Sequence, residues 1–152
     1  MSMSQGRFYL LPAADAAVPD RLEQLVCRLA TDCYRQGLGV FIYTRDKNQA
    51  EALDELLWQQ QPDSFVAHNL QGEGPRQGAP VVLSWQAPHS PRPVLINLHP
   101  QAPAFARRFN QLIDFVPPDE EAKQLARERF KAYRQAGFEL TTEPVPPQTE
   151  DA

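Results

Sequence analysis

The chain is poor in the residue patterns that carry chemistry. Its two cysteines, Cys27 and Cys33, are six apart in a helical pattern, so they sit on different turns about 120° apart and do not bridge. They also lack the CxxC spacing of a zinc site, and buried structural thiols are the expectation. The three histidines, His68, His89 and His99, lie far apart, and none has an HxxxH or HExxH companion, so no metal is expected. His68 beside Asn69 reads as support for a turn. There is no GxSxG elbow, and Ser84 sits inside an apolar run with nothing to select a His and Asp partner. Asp54 and Glu55 are adjacent in a helical pattern and face different ways, which leaves no carboxylate pair for acid and base work.

Glycine is also sparse, at 7 residues. The one rich stretch, GEGPRQGAP at 72–80, lacks the GxxxxGK order with a following Ser or Thr. It is not the first strand-to-helix turn either, and that turn, Pro12 to Pro19, contains no glycine. Neither a P-loop nor a dinucleotide fingerprint is present, and Arg76 in the loop reads as exposed. No window approaches 18 apolar residues and the N-terminus has no long apolar core, so a cytoplasmic protein is expected.

What is present is ordinary globular material. Hydrophobic residues are 42% and charged residues 22%, and 152 residues suffice to bury about two-thirds of the unfolded surface around one core. Proline, at 15 residues, is the one excess. A net charge of −4 argues against a surface that binds nucleic acid as a whole, so any recognition of an anion must be local.

Arg7 to Pro12 reads as a first strand and Pro19 to Gln36 as an amphipathic helix with Gly37 past its end. Val40 to Tyr43 reads as a buried strand of the parallel-sheet kind. Asp46 is placed to cap a second helix with a core face of Ala50, Leu53, Leu56 and Leu57; Trp58 falls off that stripe and is expected to be partly exposed. Further strands are expected at Ser64 to Ala67, Val81 to Trp85 and Val94 to Leu98. Ala104 to Phe109 has helical character and Gln111 to Val116 is extended. A helix from about Asp119 to Ala136 closes at Gly137. Pro144 to Ala152 is read as a disordered, acidic, proline-rich tail after a single domain of residues 1–143. The alternation predicts an α/β sandwich with a mainly parallel sheet and right-handed crossovers.

The last helix holds the strongest local signal. KQLARERFKAYR, from Lys123 to Arg134, carries five basic residues in an acidic protein. Lys123, Arg127, Lys131 and Arg134 fall within roughly an 80° arc, with Phe130 about 20° outside its edge. Like charges four apart destabilise a helix by about 0.2 to 0.5 kcal/mol per pair, so folding gives no reason for them. Asp119 and Glu128 stand at helical spacing to pair with Lys123 and Lys131, which leaves Arg127 and Arg134 without a carboxylate. The bland reading is a solvated face; the other is an anionic partner.

Four segments together resemble the chi subunit of bacterial DNA polymerase III: FYLL, EQLVCRLA, SFVAHNLQGEGPRQGAP and DFVPPDEEAKQLARERFKAYRQAGF, from about Phe8 to Leu140. The resemblance implies a Rossmann-like three-layer fold that has lost nucleotide binding, with no cofactor and no catalysis. It implies an accessory protein of the clamp-loader assembly, working at replication forks. The implied partners are the psi subunit, which would tether the chain to the clamp loader, and the acidic C-terminal tail of single-stranded DNA-binding protein, which ends in aspartates followed by Ile, Pro, Phe and a free carboxylate. Carried over by position, Lys123, Arg127, Lys131 and Arg134 would hold the tail's carboxylates, and Phe130 would pack against its phenylalanine. Tyrosine is often expected at that position, so a phenol hydrogen bond is absent here. For psi the resemblance points to Phe65 and Trp58. Two alternatives remain: a nucleotide-binding α/β enzyme using the 72–80 loop, and direct binding of nucleic acid by the basic helix.

Overall fold

The computed structural model describes residues 4–12, 21–59, 66–73 and 79–145. β1 (Ser4–Leu10) leads to α1 (Arg21–Arg35), β2 (Val40–Tyr43) and α2 (Lys47–Trp58). Then come β3 (His68–Leu70), β4 (Val81–Ser84), β5 (Val94–Asn97), a 3-10 turn (Ala104–Arg108), β6 (Gln111–Val116), α3 (Glu120–Gln135) and β7 (Phe138–Pro144). The strands form one sheet in the order β3-β4-β2-β5-β6-β1-β7, and every pairing in it is parallel.

Parallel strands covered on both faces read as continuous apolar runs, and VFIY, VVLS and VLIN are of that kind. Their alternate side chains enter two separate cores. Tyr9, Val40, Ile42, Leu83, Ile96 and Phe115 pack beneath α1 and α2. On the other face Phe8, Phe41, Leu95, Leu112 and Phe138 pack beneath the 3-10 turn and α3. The result is the expected Rossmann-like three-layer sandwich.

The helix ends follow the sequence signals. Asp46 caps α2, its Oδ1 accepting from Gln49 N at 2.8 Å, while the buried Gln49 side chain accepts from Arg45 N at 2.8 Å. At the end of α1, Gly37 N donates to Tyr34 O and Leu38 N to Cys33 O, the pattern that a glycine at positive φ permits. Cys27 and Cys33 are free and buried, as expected; burial pushes the Cys27 thiol up to about 12 and raises that of Cys33.

Two strands differ from the expectation. The third strand was expected at Ser64 to Ala67, and the ladder instead begins at His68, which pairs with Val81. Val66 is buried and supplies the apolar signal without lying in the ladder, while residues 64 and 65 fall outside the described residues. β7 was not expected at all. As an outermost strand it leaves much of its side-chain surface in water, so FELTTEP carries little apolar patterning. It pairs with β1 along its whole length, from Ser4 opposite Phe138 to Leu10 opposite Pro144. Gly6 leaves room there for the tip of the Leu140 side chain, which would have to shift if a Cβ were present.

A cationic helix face and an aromatic edge as candidate binding sites

α3 connects the carboxyl end of β6 to the amino end of β7 and therefore runs antiparallel to the strands beneath it. Asp119 Oδ2 accepts from Ala122 N at 2.9 Å, which fixes the start, with Glu120 and Glu121 in the first turn. The helix stops at Gly137, whose φ of 102° favours glycine.

The underside of α3 is Ala126, Arg129 and Tyr133. Arg129 grips the Asp114 carboxylate of β6 with two nitrogens, Nε to Oδ2 at 3.1 Å and Nη2 to Oδ1 at 3.2 Å. Its remaining donors reach Phe115 O at 2.9 Å and Pro100 O at 3.0 Å. Tyr133 Oη donates to Asp114 Oδ2 at 2.7 Å, Asn97 Nδ2 to the same oxygen at 3.1 Å, and Phe115 N to Oδ1 at 2.6 Å. Burial raises the Asp114 carboxyl above the usual carboxylate range, and Arg129, Tyr133 and Phe115 N offset part of that rise. Since every neighbour donates to it, the group is a carboxylate in a satisfied network that ties α3 to β5 and β6. Burial and Asp114 together push the Tyr133 hydroxyl up, so it remains a donor.

This network was not read from the sequence. Its signals were an aspartate inside the apolar run QLIDFV and, on α3, an arginine and a tyrosine four apart, away from the stripe. One of the five basic residues, Arg129, is thereby removed from the cationic cluster.

The other four stay on the outer surface. Arg127, Lys131 and Arg134 are exposed and Lys123 is half-buried. Lys123 Nζ pairs with Glu120 Oε1 at 3.5 Å, and Asp119, expected to neutralise it, is used instead as the cap. Arg127 Nη1 donates to Gln124 Oε1 at 3.3 Å. Glu128 and Lys131 form no ion pair, and among the described residues neither Lys131 nor Arg134 has a carboxylate within 4 Å. Phe130 is half-buried, its ring centroid 5.3 Å from that of Phe8, so it packs against the core and leaves the smaller part of its surface exposed on the helix face that carries the cations. The structure thus brings Lys123, Arg127, Phe130, Lys131 and Arg134 onto one helix face.

At the far edge of the sheet, Trp58 ends α2 and is 60% exposed, as its position off the core stripe predicted. Its indole centroid lies 5.0 Å from that of His68 in β3, with the planes at 59°. His68 Nε2 is 3.1 Å from Asp54 Oδ1, one turn before Trp58 on α2. The reading of His68 as a turn support is corrected in part: its Nδ1 contacts Val66 O at 2.8 Å, while Asn69 tethers the following turn through Glu73 O and Ala79 N. Phe65 lies outside the described residues, as do Arg76 and most of the 72–80 loop. Among the described residues no group of three His, Cys, Asp or Glu side chains could hold a metal ion, and no helix is long and apolar enough to cross a membrane.

Comparison with known proteins gives a consistent result. The chain is 48% identical over 144 residues to DNA polymerase III subunit chi of Escherichia coli strain K12, covering 92% of this chain and 97% of that protein. It is 42% identical over 126 residues to the Haemophilus influenzae protein of the same name, covering 82% and 88% of the two chains. The Pseudomonas aeruginosa protein of that name is 34% identical over 145 residues, covering 95% and 99%. None of these names favours the nucleotide-enzyme alternative. Among solved structures, T4 UvsW shares the fold with a TM-score of 0.60 at 9% identity, over 93% of this chain and 41% of that one. The C-terminal domain of S. cerevisiae Dbp5 gives 0.58 at 14%, over 97% and 92%. At such identities these two speak for the fold alone. The family described as DNA polymerase III chi subunit, HolC, matches residues 3–141, and with three relatives above 30% identity the chain belongs to the DNA polymerase III chi subunit family.

Proposed function

We propose that this chain is a non-catalytic bridge within the DNA polymerase III assembly, gripping the acidic C-terminal tail of single-stranded DNA-binding protein with α3 and the psi subunit with the Trp58 edge, and acting in the cytoplasm at replication forks. The observation that carries the reading is the division of α3. Its buried arginine has acceptors at all three nitrogens, whereas Arg127, Lys131 and Arg134 are exposed and, among the described residues, are held by no carboxylate. Unneutralised cations beside a half-exposed ring match the chemistry of an acidic peptide ending in an aromatic residue. Guanidinium groups hold carboxylates bidentately, lysine supplies a mobile point charge, and ring contact adds apolar burial. Lys123, shared with Glu120, contributes least.

The psi reading rests on Trp58, a large aromatic left in water at the end of α2, with Phe65 following in sequence. Aromatic residues of this kind are common interface anchors. The two sites lie on opposite sides of the sheet, α2 over the face that carries Val40 and Ile42 and α3 over the face that carries Phe8 and Phe41, so both partners can be held together. Co-purification tests the arrangement. Charge reversal at Arg127 and Lys131 should abolish capture of single-stranded DNA-binding protein and spare psi, Trp58→Ala should do the reverse, and loss of both partners in either variant would contradict separate sites.

A further inference from the structure

Beneath Trp58 lies a polar contact that the tail-binding face does not use. The His68 side chain is 1% exposed and the Asp54 side chain 29%. Nδ1 lies 2.8 Å from Val66 O, which can only accept, so that nitrogen carries a proton. In a neutral ring Nε2 is then a bare lone pair, yet it lies 3.1 Å from a carboxylate oxygen, a second acceptor. At that distance an imidazolium and the carboxylate form an ion pair, although the Nε2–H direction does not meet the oxygen in a hydrogen bond. Above the same ring sits the Trp58 indole, 5.0 Å away and within the range in which an aromatic face attracts a cation.

We infer that His68 takes up this proton and that the resulting imidazolium, held between Val66 O and Asp54, positions the Trp58 ring for docking of its partner. The groups around the ring support a cation. α2 supplies Asp54 and Trp58, β4 supplies the apolar Val81 opposite His68, and β3 supplies the neutral Asn69. Asp54 is the one carboxylate within 4 Å of the imidazole among the described residues. Protonation therefore sets opposite charges across this contact, so the ring is held by Val66 O at one nitrogen and by the charge of Asp54 at the other, under an exposed aromatic. The identity of the docking partner rests on the psi reading above; the clamp itself does not.

Fluorescence tests it directly. The chain has two tryptophans, so Trp85→Phe leaves Trp58 as the sole indole, read by exciting at the red edge where tyrosine does not absorb. An imidazolium quenches a neighbouring indole more strongly than a neutral imidazole. Emission should therefore rise roughly 1.5-fold in one sigmoidal step between pH 5 and 8, the range in which histidines change charge. His68→Asn should flatten the profile, and Asp54→Asn, made at the more exposed end of the pair, should shrink the step by freeing the ring from its second contact. A flat profile in the parent, or a step that survives His68→Asn, overturns the inference. With psi as ligand, affinity should fall about threefold from pH 6 to pH 8 in the parent and less in His68→Asn; equal pH dependence in both also overturns it. If Trp58→Ala leaves psi binding unchanged, the partner assignment fails while the fluorescence profile still decides the clamp.

Discussion

Arg127 and Arg129 stand two residues apart on α3 and do opposite things. Arg129 points at the sheet, spends its donors on Asp114, Phe115 O and Pro100 O, and fixes the helix in place. Arg127 points away and, among the described residues, donates to Gln124 and is held by no carboxylate. A rotation of 200° around the axis separates a structural cation from one available to a partner. Charge counted along the sequence therefore overstates the exposed cationic surface, and a buried carboxylate opposite the helix accounts for the difference.

The largest expected effect breaks the structural side. Arg129→Met leaves Asp114 buried without its cation, which should cost about 3–5 kcal/mol of stability in urea unfolding. A loss below about 1 kcal/mol would mean that the network does not anchor α3. Next comes Phe130, which belongs to both sides. Phe130→Ala should cost roughly 1–3 kcal/mol, less than a fully buried phenylalanine, and should also weaken binding of an acidic peptide. Phe130→Tyr should keep both properties, because a phenol can project outward from a half-exposed ring. Asp119→Ala removes the cap of α3 and should cost about 1 kcal/mol with peptide binding retained. The smallest effect belongs to the exposed face: Arg127→Glu with Lys131→Glu should change stability by no more than about 0.5 kcal/mol.

Cysteine reactivity gives an independent check on the opposite layer. With its thiol pushed up to about 12 by burial, Cys27 is essentially all protonated at pH 8, and thiolate appears only as pH approaches that value. Iodoacetamide should modify it only after denaturant is added. Rapid modification of the native protein would show that α1 is not packed as described.

Much of this fold was legible because burial on both faces gives parallel strands continuous apolar runs, and because Asp46, Gly37, Asp119 and Gly137 mark helix ends chemically. β7 was not legible: an edge strand that buries Phe138 and little else is locally close to a polar loop, and only its pairing with β1 defines it. β3 was displaced because Val66 carries the apolar signal while His68 carries the ladder. At the candidate site, helical period alone placed Lys123, Arg127, Phe130, Lys131 and Arg134 together. It did not reveal that Phe130 half belongs to the core or that Glu120, not Asp119, takes Lys123, since both depend on what lies under and ahead of the helix.

The most direct measurement of the account is a calorimetric titration with a peptide ending in Asp-Asp-Asp-Ile-Pro-Phe, run on the parent and on the Arg127→Glu, Lys131→Glu variant. The parent should bind with a dissociation constant on the order of micromolar, more weakly as salt is raised, because exposed charges are screened. The variant should lose at least about tenfold in affinity, roughly 1.4 kcal/mol or more, with its unfolding midpoint unchanged. Equal affinity in the two proteins would contradict the assignment of this face, whatever the fold beneath it.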